Sequence, residues 1–202
     1  MNKKVLEHFK KVDPVLFSVL AKIDSIKPLT KSKNYFSDLC ETIINQQLSE
    51  KAGETIFRRF QKLFSKEKIS PEELYKLSAE KIRKTGTSNS KVKYLKNIAE
   101  KVIQKEINLE EFTQKDDNFV KNSLIKIKGI GPWTAEMFLM FSLARQDIFS
   151  LGDLGLRKAI QKLYAFKKKP TDKQIEKLSK KWIPYRTCAA RILWRSLDLE
   201  IK

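Results

Sequence analysis

The chain has 202 residues, of which 42 are lysine or arginine and 24 aspartate or glutamate, a formal charge of +18. A surplus of that size favours a polyanionic partner, nucleic acid before an acidic membrane surface. With 41% apolar and 10% aromatic residues the chain can bury a core and is not of the disordered class. Two cysteines and one histidine exclude a four-cysteine cluster, a disulfide-dense scaffold, a multi-histidine zinc centre and a histidine-based triad. Chemistry here must run on carboxylates, aromatic rings and backbone.

The first element is announced by Asp13-Pro14, a cap and a first-turn proline ahead of Val15, Leu16, Val19, Leu20 and Ile23 at helical spacing. Phe36, Leu39, Cys40, Ile43, Ile44 and Gln47 keep the same period. Ser49 is placed to cap a helix carrying Ala52, Ile56, Phe57, Phe60 and Phe64, and Ser70-Pro71-Glu72-Glu73 reads as a capping box. Val92, Leu95, Ile98, Ala99 and Val102 follow, then Phe119, Val120, Leu124 and Ile127. Further helices are expected over 134–143, 154–163, 171–178 and 184–197. No alternating strand, no repeat and no apolar run long enough to span a bilayer is present. The amino terminus lacks the apolar stretch of a secretion signal. The expected class is all-α, with about ten short helices. Cys40, Cys188 and Trp182 read as core, and His8 as an exposed terminal residue.

The stretch Lys126-Ile127-Lys128-Gly129-Ile130-Gly131-Pro132-Trp133-Thr134-Ala135 carries the most information. A helix stops at Gly129, the chain turns through Ile130-Gly131, and a second helix starts at Pro132. Two glycines permit positive φ, so successive amides can face one anion, aided by the new helix's dipole and by Lys126 and Lys128. An ordinary helix–turn–helix corner would have the same glycines. Residues 129–202 hold 15 basic and 7 acidic side chains, so the positive excess rises from this turn onward. Asp153, twenty residues past Trp133, stands where it would cap the 154–163 helix. A carboxylate at a helix amino terminus stays ionised, and a fixed anion in an apolar pocket can stabilise a developing sugar cation.

Taken together, Lys128 to Ala135 followed by Asp153 resembles the helix-hairpin-helix DNA glycosylases with a Gly/Pro…Asp signature. Three other stretches are similar to the alkylbase branch (3-methyladenine, type II) of that superfamily. They are Ile43-Ile44-Asn45-Gln46-Gln47-Leu48-Ser49-Glu50-Lys51-Ala52, Ser88-Asn89-Ser90-Lys91-Val92-Lys93-Tyr94-Leu95, and the run from Trp182 to Trp194. The resemblance spans roughly 36–198 and implies two helical lobes around a DNA-binding cleft, one formed by 1–35 with 133–202 and the other by 36–132. It implies Asp153 as the catalytic carboxylate, and Trp133, Trp194 and Met137 as the base pocket. Lys128, Gly129, Ile130, Gly131 and Thr134 would hold the DNA backbone, while Gln47, Leu48 and Ser49 would fill the gap left by an extruded base. A sodium or potassium ion on hairpin carbonyls near Lys126 and Gly129 is implied as well; no other cofactor is expected. The partner implied is double-stranded DNA with alkylated bases, met by a monomer in the cytoplasm or nucleoid and not at a membrane.

Lyase-competent relatives have a lysine where this chain has Trp133, so the expected reaction is hydrolysis without a Schiff base. The four-cysteine cluster of one branch and the amino-terminal β-domain of longer relatives have no counterpart here. Met137 replaces a tyrosine found in some relatives, leaving the pocket more apolar. Two other readings stay open at this level: a non-catalytic helix-hairpin-helix module, and a glycosylase for a neutral mispaired or deaminated base.

Overall fold

A computed structural model describes residues 3–23 and 26–199. Among the described residues all regular structure is helical, with twelve α-helices, two 3-10 turns and one π-turn. The chain divides into two compact units, 1–30 with 144–202, and 31–143. The sequence-based division placed the second boundary at 132/133. The structure places it after Leu143, because the segment starting at Pro132 packs on its own unit's helices.

The terminal unit contains α1 (Lys3–Val12), α2 (Pro14–Leu20), α10 (Leu154–Leu163), α11 (Asp172–Lys180) and α12 (Arg186–Ser196). Helix α12 packs on α10 and α2, closing a core of Phe9, Leu16, Leu156, Ile160, Ile192 and Leu193. Its polar centre is Asp13. One carboxylate oxygen caps α2 at the Leu16 amide (3.0 Å), and the other accepts from Trp182 Nε1 (2.7 Å) and the Tyr164 hydroxyl (2.6 Å). Three donors offset the desolvation of this buried anion. Burial, then the bond to Asp13, pushes the Tyr164 hydroxyl pKa up.

The central unit contains α3 (Tyr35–Asn45), α4 (Glu50–Gln61), α5 (Pro71–Lys76), α6 (Ala79–Lys84), α7 (Asn89–Ile103), α8 (Asp117–Ile125) and α9 (Pro132–Met137). Helix α3 is its spine: Phe36, Leu39, Cys40, Ile43 and Ile44 are all buried, against α4, α7 and α9. Truncating Ile43, which is fully buried, to alanine removes contacts worth about 2–5 kcal/mol. Lys96 on α7 donates to the carbonyls of Tyr75 and Leu77 where α5 ends, and Lys121 on α8 pairs with Glu136 on α9 at 2.5 Å.

Four local expectations are corrected. Ser70 does cap α5 through the Glu73 amide, but the Glu73 carboxylate turns to the Ser65 amide (3.0 Å) and leaves the box half formed. The reciprocal box is found instead at Thr171 and Gln174, at the start of α11. The 134–143 helix is α9 followed by a π-turn over Phe138–Ser142, and the closing helix starts at Arg186 because Pro184 lies in the turn before it. His8 is half-buried, its ring edge-on to Phe9 and Tyr185.

Candidate functional site

Helix α8 ends at Ile125 and α9 restarts at Pro132, and the turn between them hangs on two buried side chains, Ile127 and Ile130. Its two glycines differ. Gly129 has φ +97°, and a Cβ there would collide with the ring of Tyr94 on α7, so conformation and close packing both require glycine. Gly131, where a positive φ was permitted, is extended (φ −93°, ψ 176°), and a Cβ on it would meet nothing within 4 Å. It is the N-cap of α9 and supplies no side-chain cap, unlike Asp13, Asn34, Ser49 and Asp116 at other helix starts. The first turn of α9 therefore presents its dipole uncapped by its own N-cap side chain, with the exposed Lys126 and Lys128 just before it. Thr134 is buried and its hydroxyl accepts from Gln46, so that hydroxyl serves the fold, whereas the sequence reading assigned it to the DNA backbone.

The loop between α3 and α4 lies beside this turn. Gln46 donates from Nε2 to the Gly129 carbonyl and to Thr134 Oγ1, both at 2.9 Å. Lys91 on α7 donates to the carbonyls of Ile44 (2.8 Å) and Gln46 (2.6 Å), and burial lowers its pKa. After this anchored residue Gln47 takes a left-handed φ of +57°, a conformation costing a non-glycine residue about 1 kcal/mol. Gln47 is exposed and Leu48 is 38% exposed, while the Ser49 hydroxyl is engaged as the cap of α4. Gln46 and Lys91 stand in stretches that the sequence singles out, but their bridging role was not read there. Their contacts join residues 83 and 47 positions apart, and no local pattern encodes such a distance.

In the terminal unit, Asp153 is the N-cap of α10, as its position implied. It is 8% exposed, and Oδ1 accepts from the Leu156 amide (2.7 Å) and from Trp194 Nε1 (3.0 Å). Trp194, expected to be a pocket wall, is thus also the residue that orients the carboxylate. Gly155 lets the two meet: a Cβ there would lie 3.1 Å from both Asp153 Oδ1 and Trp194 Cδ1. Arg157, one turn into α10, holds the approach to Asp153 by donating to the Leu151 carbonyl (2.9 Å) and the Pro170 carbonyl (3.0 Å), and pairs with Asp172. Gly155 and Arg157 went unnoticed in the sequence. A glycine in the first turn of a helix, where alanine is favoured by about 1 kcal/mol, was the available signal. Trp133 and Met137 stand one helical turn apart on α9 of the central unit, half-buried and buried.

The remaining reactive groups are quiet. Burial pushes the Cys188 thiol to about 11 and raises the fully buried Cys40 further, so neither is a thiolate nucleophile at neutral pH. Among the described residues no group of three or more His, Cys, Asp or Glu side chains is placed to hold a metal ion. At the hairpin the Gly129 carbonyl accepts the Gln46 amide, which leaves it one lone pair. No described helix is long and apolar enough to cross a membrane.

An oriented carboxylate at a helix start and a glycine turn beside an exposed, strained loop are the two assemblies that the chain builds. Comparison with known proteins gives the family. The chain is 36% identical over 171 residues to a DNA-3-methyladenine glycosylase of Schizosaccharomyces pombe, covering 84% of this chain and 75% of that protein. It is 33% identical over 231 residues to the DNA-3-methyladenine glycosylase of Saccharomyces cerevisiae, covering 94% and 77%. The solved structure of the S. pombe 3-methyladenine DNA glycosylase in complex with abasic DNA superposes with a TM-score of 0.91 at 32% identity, covering 98% of each chain. Residues 40–185 match the model of the HhH-GPD superfamily base excision DNA repair protein, and the chain belongs to that superfamily.

Proposed function

We propose that this protein is a DNA-3-methyladenine glycosylase of base excision repair, which hydrolyses the N-glycosidic bond of alkylated purines in duplex DNA without lyase activity. The relatives' activity supports the reaction class. The observation that carries the mechanism is the buried Asp153 carboxylate, held by the Leu156 amide and the Trp194 indole.

An N3- or N7-alkylated purine carries positive charge, so it leaves without a general acid, which suits a chain with one histidine. The duplex would be held at the Gly129–Gly131 turn through backbone amides and Lys128, with Ile130 as the apolar anchor underneath. A base rotated out of the stack costs a few kcal/mol, offset by Leu48, flanked by Gln47 and Ser49, entering the gap. Trp133, with Met137 beside it, and Trp194 would offer π-faces to the cationic base, each contact worth about 0.5–2 kcal/mol. Asp153 would stabilise the oxocarbenium-like sugar in the transition state and orient the attacking water. With tryptophan at position 133 the site has no amine there to form a Schiff base. No step runs through a cofactor or metal ion, and the protein would act as a monomer on the DNA of the cell.

The test is incubation with randomly methylated duplex DNA and chromatography of the released bases. Release of 3-methyladenine with the strand left intact is the expected result. Tight binding with no base released would reduce the protein to a DNA-binding module, and equal release of hypoxanthine or uracil would shift the substrate to neutral bases.

A further inference from the structure

The segment before the hairpin helices, around Lys91 and Tyr94, takes no part in the mechanism above, yet it touches both DNA-facing elements of the central unit. Tyr94 lies directly beneath Gly129, so closely that a Cβ on that glycine would collide with its ring. Lys91, three residues earlier and so on the same face of α7, directs its ammonium to the carbonyls of Ile44 and Gln46 at the end of α3. Gln46 closes the triangle, since its single amide nitrogen donates both protons to the hairpin, one to the Gly129 carbonyl and one to Thr134 Oγ1. The half-buried amide thus has both its donors satisfied by the turn, and the residues after it, Gln47 and Leu48, project to solvent.

We propose that Gln46 and Lys91 are positioning residues that lock the exposed Gln47-Leu48 loop in register with the glycine turn. The base pair opened by the loop is then the one whose backbone the turn holds. This rests on the glycosylase reading. Flipping needs the two elements to act at a fixed separation along the duplex, and an unclamped loop would reach a range of positions. Its cost falls on extrusion, not on bond cleavage. A lesion already unpaired should therefore escape it, because little extrusion work remains.

The experiment compares single-turnover release of 7-methylguanine from two duplexes, one with cytosine opposite the lesion and one with an abasic-site analogue opposite. Parent, Gln46→Ala and Lys91→Met proteins are used as full chains, with melting temperatures measured alongside. The expected result is about a tenfold loss on the paired duplex for either variant and less than about twofold on the unpaired one, a fraction of the few kcal/mol that extrusion costs. Equal losses on both duplexes, or no loss on either, would overturn the proposal and leave a structural helix end. If Lys91→Met folds poorly, Gln46→Ala decides alone, since it removes only the bridge to the hairpin. A parent protein that releases nothing from methylated DNA would sink the glycosylase reading itself, whereas an active parent with an indifferent Gln46→Ala would sink only the clamp.

Discussion

Two helix starts in this molecule are built in opposite ways. Helix α10 opens on Asp153, whose carboxylate fills the place of the missing intrahelical acceptor and is itself pinned by Trp194. Helix α9 opens on Gly131, which has no side chain, and on Pro132, which has no amide proton. The first carries its own carboxylate into a buried setting, while the second has no side chain of its own at the cap. The surrounding charge differs in the same sense of division: the terminal unit holds 21 basic and 9 acidic side chains, the central unit 21 and 15. The unit that holds Asp153 thus carries the greater positive excess. Under the proposed function the two starts divide the work, one gripping a phosphate regardless of sequence and one meeting a sugar cation.

The glycines break the comparison most cleanly. Gly129→Ala should be the most damaging of these substitutions, because it combines a positive φ with a collision against Tyr94. A loss on the order of 3–5 kcal/mol is expected, seen as a fall of about 10 °C in melting temperature. Gly155→Ala should act on rate instead. Helix propensity favours alanine there by up to about 1 kcal/mol, so stability should hold. The added methyl presses on both Asp153 and Trp194, and single-turnover excision should slow by about 3–10-fold. Excision at the parental rate would mean that the carboxylate tolerates displacement.

Gly131→Ala should leave both the fold and the chemistry intact, since nothing in the protein meets the new methyl. If a phosphate approaches that face, affinity for damaged and undamaged duplexes should fall together by about fivefold, and equal affinity would make the turn a mere corner. The smallest effect is electrostatic. With about five phosphates neutralised, log affinity should fall against log salt with a slope of roughly −4 to −5, and Lys128→Gln should lower that slope by about 1. A flat dependence would make the +18 charge a solvated surface only.

Much of this was legible in the sequence because it is local. The caps Asp13, Ser49 and Asp153, the apolar face of α3 and the glycine turn each announce themselves within a few residues. The misreadings also have local causes. Ser70 and Glu73 have the spacing of a capping box, but the carboxylate accepts from the Ser65 amide instead. At Gly131 the residue type permits a positive φ but does not require one, and extended backbone serves an N-cap as well. The contacts of Gln46, Lys91, Gly155 and Arg157 were invisible for a different reason: each acts through partners that only the folded chain brings near. A glutamine that bridges to position 129 has the same local sequence as one that faces water.

The central claim is that Asp153 is a catalytic anion as well as a helix cap, and Asp153→Asn separates the two roles. Asparagine keeps the size and an oxygen able to accept from the Leu156 amide, so the cap should survive with a melting temperature within a few degrees of the parent. Removing the charge should slow single-turnover release of 3-methyladenine by roughly 100-fold or more, while duplex binding persists. An excision rate near that of the parent, at unchanged stability, would contradict the account and leave Asp153 a cap alone.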